Sequence, residues 1–275
     1  MWVAAIQLNS TPDLEGNLAK ARQFIQEAAG RGAQLIALPE HFAYLGPDDP
    51  HPPSAQPLDG PLVTEFRKLA RDLKIFLLLG SFPEIAAPQE LPFNTSLLLG
   101  PAGQILAQYR KIHLFDIELS GGPVHRESHF CRPGDEIVAA PLPGTPFTAG
   151  LAICYDLRFP ELFRALTARG ADLLFLPAAF TRTTGRDHWE TLLRARAIEN
   201  LAYVIAPAQY GHHSLGKSSH GRSLIIDPWG LILAQAPDHE GVIYAHLDHN
   251  RLTHLRQQLP CLQHRGVREN MGGGR

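Results

Sequence analysis

No residue type that marks a specialised class of protein is plentiful in this chain of 275 residues. Cysteine is scarce: Cys131, Cys154 and Cys261 are odd in number and form no C-x-x-C pair, which fits a reducing compartment better than a disulfide framework. An excess of one charge is missing too. Lys and Arg number 25 against 27 Asp and Glu, a formal net charge of −2, and the cations are scattered, so no electrostatic footprint for nucleic acid or an anionic membrane is present. No apolar run approaches the roughly 20 residues that span a bilayer. Met1-Trp2-Val3-Ala4-Ala5-Ile6 enters an apolar run without the basic region and cleavage site of a secretory signal. Internal repeats, heptads and long linkers are absent as well. These absences point to a cytoplasmic protein that acts on a small molecule and partners neither nucleic acid nor membrane. They also imply one domain over residues 1–265, with the Gly-rich residues 266–275 expected as a flexible tail.

What is present is an alternation of short apolar runs and amphipathic segments. Residues 2–7, 35–38 and 75–80 read as buried strands, and residues 14–29 and 62–73 carry apolar side chains at helical spacing. Strand and helix in turn predict an α/β sheet with covering helices. Residues 95–99 and 104–109, joined by the turn Gly100-Pro101-Ala102-Gly103, read as an antiparallel hairpin, so the sheet is mixed. Residues 113–134 have little periodicity and many turn formers, the pattern of a long functional loop. Strands at 151–154, 173–176, 203–206, 223–226, 231–235 and 242–247 follow, with helices at 161–169 and 189–200 and an amphipathic segment at 252–260.

Three strand ends carry chemistry. Leu35-Ile36-Ala37-Leu38-Pro39-Glu40 ends in a carboxylate, Tyr109-Arg110-Lys111-Ile112-His113 presents a lysine, and Ala152-Ile153-Cys154-Tyr155-Asp156 places a cysteine just before a helix. A strand-to-helix turn exposes its side chain at the strand's carboxyl end and leaves N–H groups, most simply that of Tyr155, for a developing oxyanion. Ligands of open α/β sheets bind at those ends, so the three groups converge if their strands are neighbours. Taken singly, Cys154 fits a small buried residue and Glu40 or Lys111 a surface ion pair.

In order, Leu38-Pro39-Glu40, Tyr109-Arg110-Lys111-Ile112-His113-Leu114 and Ile153-Cys154-Tyr155-Asp156-Leu157-Arg158-Phe159-Pro160-Glu161 resemble the three motif regions of the nitrilase (carbon-nitrogen hydrolase) superfamily. The resemblance runs from Val3 to about Arg265. It implies a four-layer αββα sandwich and a catalytic triad of Glu40, Lys111 and Cys154, with Glu127 in the loop after the lysine positioning that lysine or the substrate. It also implies a homodimer or higher homo-oligomer. In the mechanism that follows, Glu40 takes the Cys154 proton and Lys111 steadies the negative charge. Lys111 and the Tyr155 N–H hold the oxyanion, ammonia leaves, and water activated by Glu40 cleaves the thioester. No cofactor and no metal is required.

Nitrilases proper carry Trp-Glu after the cysteine; Tyr155-Asp156 is similar to the amidase branches. There His188-Trp189-Glu190, Gln209-Tyr210-Gly211-His212-His213, Asp227-Pro228-Trp229-Gly230 and Gln263-His264-Arg265 resemble deaminated-glutathione amidases. The alternatives are ω-amidases acting on α-keto acid amides such as α-ketoglutaramate, and a catalytically silent ligand-binding homologue. Each candidate substrate is anionic. Arg182 or Arg186 is a candidate partner for its carboxylate, or a solvated loop charge. His125, His129 and Cys131, like His212, His213 and His220, fit no compact zinc spacing.

Overall fold

The computed structural model describes residues 1–118, 124–214 and 216–266. The tail expected over 266–275 lies outside the described residues from 267 onward. The first half runs β1 (Trp2–Gln7), α1 (Leu14–Gly30), β2 (Leu35–Ala37), α2 (Pro61–Leu73), β3 (Phe76–Glu84), β4 (Phe93–Leu99) and β5 (Ile105–Arg110), followed by the small hairpin β6 (Asp116–Glu118) and β7 (Val124–Arg126). The second half begins with β8 (Ala139–Pro141), β9 (Thr148–Leu151), α3 (Pro160–Ala168), β10 (Leu173–Phe175), α4 (Arg182–Asn200) and β11 (Tyr203–Ala206). It continues with β12 (Tyr210–His212), β13 (Ser218–His220), β14 (Leu224–Ile226), β15 (Ile232–Gln235), β16 (Gly241–His246) and α5 (His249–Gln258).

Helix starts follow local chemistry. The Asp13 carboxylate accepts from the Gly16 N–H at 3.0 Å and caps α1. Proline, whose missing N–H costs nothing in a first turn, opens α2 at Pro61 and α3 at Pro160.

Two six-stranded sheets result, ordered β16-β1-β2-β3-β4-β5 and β15-β14-β11-β10-β9-β8. β1, β2 and β3 are parallel, as are β9, β10 and β11, and the remaining neighbours in each sheet pair antiparallel, so that β5 again runs in the direction of β3. The two-residue period of the strands decides what each face touches. Val3, Ala5, Leu35, Ala37 and Leu78 pack in one core with Leu151, Leu173, Phe175 and Ile205 of the other sheet. Ala4, Ile6, Ile36 and Leu77 face the other way, onto Leu18, Ala21 and Ile25 of α1 and Phe66 of α2. A register slip of one residue would exchange the two sets, and each Leu, Ile or Phe so exposed forfeits about 1.5–3 kcal/mol. α3 and α4 cover the second sheet through Leu162, Phe163, Leu166, Trp189 and Leu193. The layers are therefore αββα, the fold the resemblance implied.

The structure differs from the sequence expectation in places. α4 starts at Arg182 instead of residue 189, because its first turns carry charge and no apolar period; they are held by tertiary contact. Gly185 lies so close to the chain at His220 that a Cβ there would stand 2.4 Å from the His220 Cβ. The loop 113–134 contains the β6–β7 hairpin and a 3-10 turn, Glu127–His129. β8, β12 and β13, three residues each, are too short to show a period. α5 buries Leu252 and Leu255 on its own chain. Among the described residues no helix is long and apolar enough to cross a membrane.

Candidate active site

Pro39 has no N–H to give the ladder, so β2 stops after Ala37 and the chain turns, with Leu38 N–H donating to the Leu78 carbonyl at 3.0 Å. Beside this turn β3 passes at Gly80, where a Cβ would stand 2.0 Å from the Leu38 carbonyl oxygen; only glycine allows that approach. The turn delivers Glu40, buried, just beyond the carboxyl end of β2 in the middle of the sheet. His41 follows with φ 54°, its N–H donating to Ser81 Oγ at 3.1 Å. Lys111 comes one residue after β5, which runs in the direction of β2, so both side chains emerge at one end of the sheet.

Cys154 stands at the start of a 3-10 turn, Cys154–Arg158, just beyond β9, in the left-handed region at φ 46°. A side chain in that region is strained and persists only where its surroundings fix it. Two anchors do so here. The Cys154 N–H donates to the Pro177 carbonyl at 2.9 Å, and the fully buried Asp156 accepts from the Ile153 N–H at 2.8 Å. Asp156 also accepts from the Tyr109 hydroxyl at 2.7 Å, the His113 N–H at 3.1 Å and His113 Nδ1 at 2.7 Å. One carboxylate thus ties the segment bearing Lys111 to the turn bearing Cys154.

The three predicted residues meet. Lys111 Nζ donates to Glu40 Oε1 at 3.0 Å and to both oxygens of Glu127, at 3.0 and 2.8 Å. Asn94 Nδ2 bridges the same carboxylates, 3.0 Å from Glu40 and 3.1 Å from Glu127. The Ala179 N–H donates to Glu40 Oε2 at 2.7 Å, and the Cys154 thiol helps to lower the pKa of the Glu40 carboxyl. Glu127 is fixed further by the Phe115 N–H at 2.6 Å.

Burial by itself would raise the Glu40 carboxyl; Lys111, His41 and the bonds from Cys154 and Lys111 outweigh it and bring it down to about 2. Burial works against the Lys111 ammonium, but Glu127 and Glu40 override it and hold its pKa well above the usual value. Burial, and then the Glu40 charge, push the Cys154 thiol up, with Lys111 opposing. The resting arrangement is therefore ammonium, carboxylate and thiol, with the proton leaving sulfur only as the sulfur attacks.

These groups lie in a cleft of about 630 Å³, within the roughly 300–1,000 Å³ of small-molecule sites. Tyr155 lines it, its N–H in the first turn of the 3-10 segment, where such groups lack partners within the helix. Arg182 lines it and forms no ion pair among the described residues. Arg186 does not line it: its side chain is 85% exposed, one turn along α4, and lies beside Asp187. Of the two arginines only Arg182 faces the site. Lys217 also lines the cleft, its ammonium donating to the Gly46 carbonyl at 3.0 Å and pairing with Asp48. Glu40, His41 and Glu127 offer ligand atoms within 4.8 Å of one another, the one such set among the described residues. The Lys111 ammonium already bonds both carboxylates of that set, filling the place of a cation.

Sequence reasoning did not foresee Asn94, Ala179, Lys217 or a role for His41. Asn94 and Ala179 act through a side-chain amide on β4 and a backbone N–H in the connection between β10 and α4, which leave no local signal. Asp156 stands within the cysteine motif, where its cue in the sequence is a carboxylate between Tyr155 and Leu157 at the end of an apolar run.

Compared with known proteins, residues 2–257 match the carbon-nitrogen hydrolase family. A deaminated glutathione amidase of Synechocystis is 44% identical over 263 residues, 95% of this chain and 97% of that one. The crystal structure of the C. elegans NitFhit protein superposes with a TM-score of 0.88 at 38% identity over 96% of this chain; the chain spans 65% of that longer protein. Saccharomyces cerevisiae Nit3, a member of branch 10 of the nitrilase superfamily, gives a TM-score of 0.83 at 30% identity, covering 99% of this chain and 97% of that one.

Proposed function

Since the chain belongs to the carbon-nitrogen hydrolase family and is thereby a hydrolase of carbon–nitrogen bonds, we propose that it cleaves the amide of deaminated glutathione through a Cys154 thioester. The observation that carries this reading is the meeting of Glu40, Lys111 and Cys154 in one cleft, with the Lys111 ammonium bonded to the Glu40 carboxylate at 3.0 Å. As Cys154 Sγ attacks the carbonyl carbon, its proton passes to Glu40. The oxyanion rests on Lys111 and the Tyr155 N–H, donors of a kind worth about 3–4 kcal/mol. Glu40 returns the proton to the departing nitrogen, the C–N bond breaks, and water then hydrolyses the thioester. Glu127 keeps Lys111 in place. Primary amides lose ammonia in this step; deaminated glutathione, whose amide nitrogens each carry a further residue, loses an amine.

Relatives carrying the name deaminated glutathione amidase support the substrate, as does a cleft roomy enough for a tripeptide-sized molecule. Arg182 is the candidate for a substrate carboxylate. Three free cysteines support a cytoplasmic setting. A homodimer is supported by the exposed side chains of Ile198, Trp229 and Leu231, Ile198 lying against the turn at Gly230 that separates the other two. The test measures acid and amine products across deaminated glutathione, α-ketoglutaramate, asparagine, a carbamoyl amine and a nitrile. Highest kcat/KM for deaminated glutathione supports the reading; preference for α-ketoglutaramate would make the protein an ω-amidase.

A further inference from the structure

The lysine and arginine side chains that line the cleft, among the described residues, are Lys111, Arg126, Arg182 and Lys217. Lys111 belongs to the triad, and Arg126 is engaged by the carbonyls of Ile117 and His125 and by Glu118. Lys217 takes no part in the bond-breaking chemistry, yet a chain of hydrogen bonds fixes its turn to the backbone of Glu40. Gln209 Nε2 donates to the Glu40 carbonyl at 3.0 Å and to Ser10 Oγ at 2.8 Å. His213 Nδ1 donates to the Ser10 carbonyl at 2.8 Å, and the His213 N–H donates to the Lys217 carbonyl at 3.0 Å. Gln209 and Ser10 are buried, so this path is held by the core. An ammonium has three donors. Among the described residues Lys217 gives one to the Gly46 carbonyl and one to Asp48, a carboxylate whose exposed side chain makes the pair weak and open to exchange. Its third donor is left for a ligand. His213 does not compete with it as a cation: burial is the main cause that brings that ring down to about 4, so it is neutral at pH 7.

Deaminated glutathione carries a carboxylate on each side of its scissile amide. Glu40 returns the proton to the departing nitrogen, so the leaving half lies on the Glu40 side of the cleft. That half is a dipeptide, whose terminal carboxylate stands roughly 7 Å from the nitrogen when the two residues are extended. A span of that length from Glu40 passes His41, whose Nε2 is 3.8 Å from Glu40 Oε1, toward the segments 44–49 and 213–219 that also line the cleft. The Lys217 charge is felt along this path, where it disfavours the charged forms of both His41 and His213. We propose that Lys217 binds the terminal carboxylate of the leaving dipeptide and thereby selects deaminated glutathione over amides that release only ammonia. This rests on the amidase reading above and names the residue that sets its specificity: α-ketoglutaramate has a carboxylate on the acyl side alone and gains nothing from Lys217. The acidic groups on this wall sharpen the choice. Without the Lys217 ammonium, Asp48 and Asp49 would leave it negative and repel the carboxylate that it now receives.

The experiment compares wild type, Lys217→Gln and Asp48→Asn in the full chain. The substrates are deaminated glutathione and its analogue with the terminal carboxylate of the dipeptide blocked as an N-methylamide, and release of the dipeptide amine gives kcat and KM. Wild type should show a KM about tenfold or more lower for the acid than for the blocked analogue, the worth of one hydrogen bond to a charged group. Lys217→Gln should erase that preference, raising KM for the acid about tenfold with kcat within roughly threefold of wild type, the pattern of lost uniform binding. Asp48→Asn releases the ammonium from its partner and should keep the preference. A wild type without preference, or a preference that survives in Lys217→Gln, overturns the proposal. So does an equal rise in KM for both substrates in Lys217→Gln, which marks a contact to the acyl side or a tie between loops, and so does loss of the preference in Asp48→Asn. If the wild type hydrolyses neither substrate, the amidase reading fails first and the role of Lys217 with it.

Discussion

Replacing Lys111 by methionine keeps most of the side chain's volume and removes its charge from between two carboxylates. Lys111 is 2% exposed and makes three bonds of 2.8–3.0 Å to Glu40 and Glu127. In the variant the carboxylates would face each other with Asn94 alone between them. The lowering of Glu40 from 4.5 to about 2, at 1.36 kcal/mol per unit, corresponds to roughly 3 kcal/mol of stabilisation in the wild type. That agrees with the roughly 3–5 kcal/mol lost when one partner of a buried pair is removed. Because the folded carboxyl lies below its unfolded value, this stability is present above pH 4.5 and is lost as pH falls toward 2. Without the ammonium, burial and the Glu127 charge push Glu40 upward instead. The stability gap between wild type and variant should therefore be widest at pH 7 and narrow as pH falls below 4.5. At about 2–4 °C per kcal/mol for a domain of this size, the neutral-pH melting point should drop by roughly 6–20 °C. Loss of the oxyanion's cation should lower kcat by about 10²–10³. Urea titrations at pH 7 and pH 4, with amide hydrolysis at pH 7, test both. An equal gap at the two pH values, or more than about a tenth of wild-type kcat (1.4 kcal/mol), would refute the reasoning.

Cys154→Ala should abolish turnover with an unchanged melting point, whereas Cys131→Ala should stay active, since burial pushes the Cys131 thiol up to about 12 and leaves no thiolate at pH 7; the reverse pattern in an amide assay refutes the nucleophile. Asp156→Asn turns one acceptor of the network joining Tyr109, His113 and Ile153 into a donor facing donors, so about 2–4 kcal/mol of stability and at least a tenfold share of kcat should go; a urea midpoint and kcat equal to wild type would remove Asp156 as the tie between the two segments. Arg182→Ala should raise KM about tenfold with kcat little changed, while Arg186→Ala, on an 85% exposed side chain, should alter neither; equal effects on KM refute the assignment. Sedimentation at micromolar concentration should show a dimer that Trp229→Glu dissociates, and a single wild-type species at 30.3 kDa would exclude it.

The sandwich was legible because its strands are buried on both faces and read as unbroken apolar runs, while α1 and α2 keep one apolar stripe. β8, β12, β13 and the first turns of α4 were not, since a three-residue strand has no period and a charged helix start owes its place to the contact of Gly185 with His220. Of the cleft, the strand-end positions of Glu40, Lys111 and Cys154 stood in the sequence as three separate turns. Pro39 ends one strand and a strand-to-helix step ends another, which is chemistry local to a few residues. Whether the three turns meet depends on strand order and on which way β5 runs, and those follow from pairing across the sheet. The division between Arg182 and Arg186 is of the same kind: both are solvated loop charges by composition, and the helix that begins at Arg182 sets one at the cleft and carries the other a turn, about 6 Å, beyond it. Which residues are able to do this chemistry is written locally in the chain, because nucleophilicity, charge type and strand ends are properties of a few neighbouring residues. What each of them is at neutral pH depends on the folded chain, because the burial of Cys154, the ion pair of Lys111 and the crowding of donors on Glu40 come from segments that are distant along the sequence.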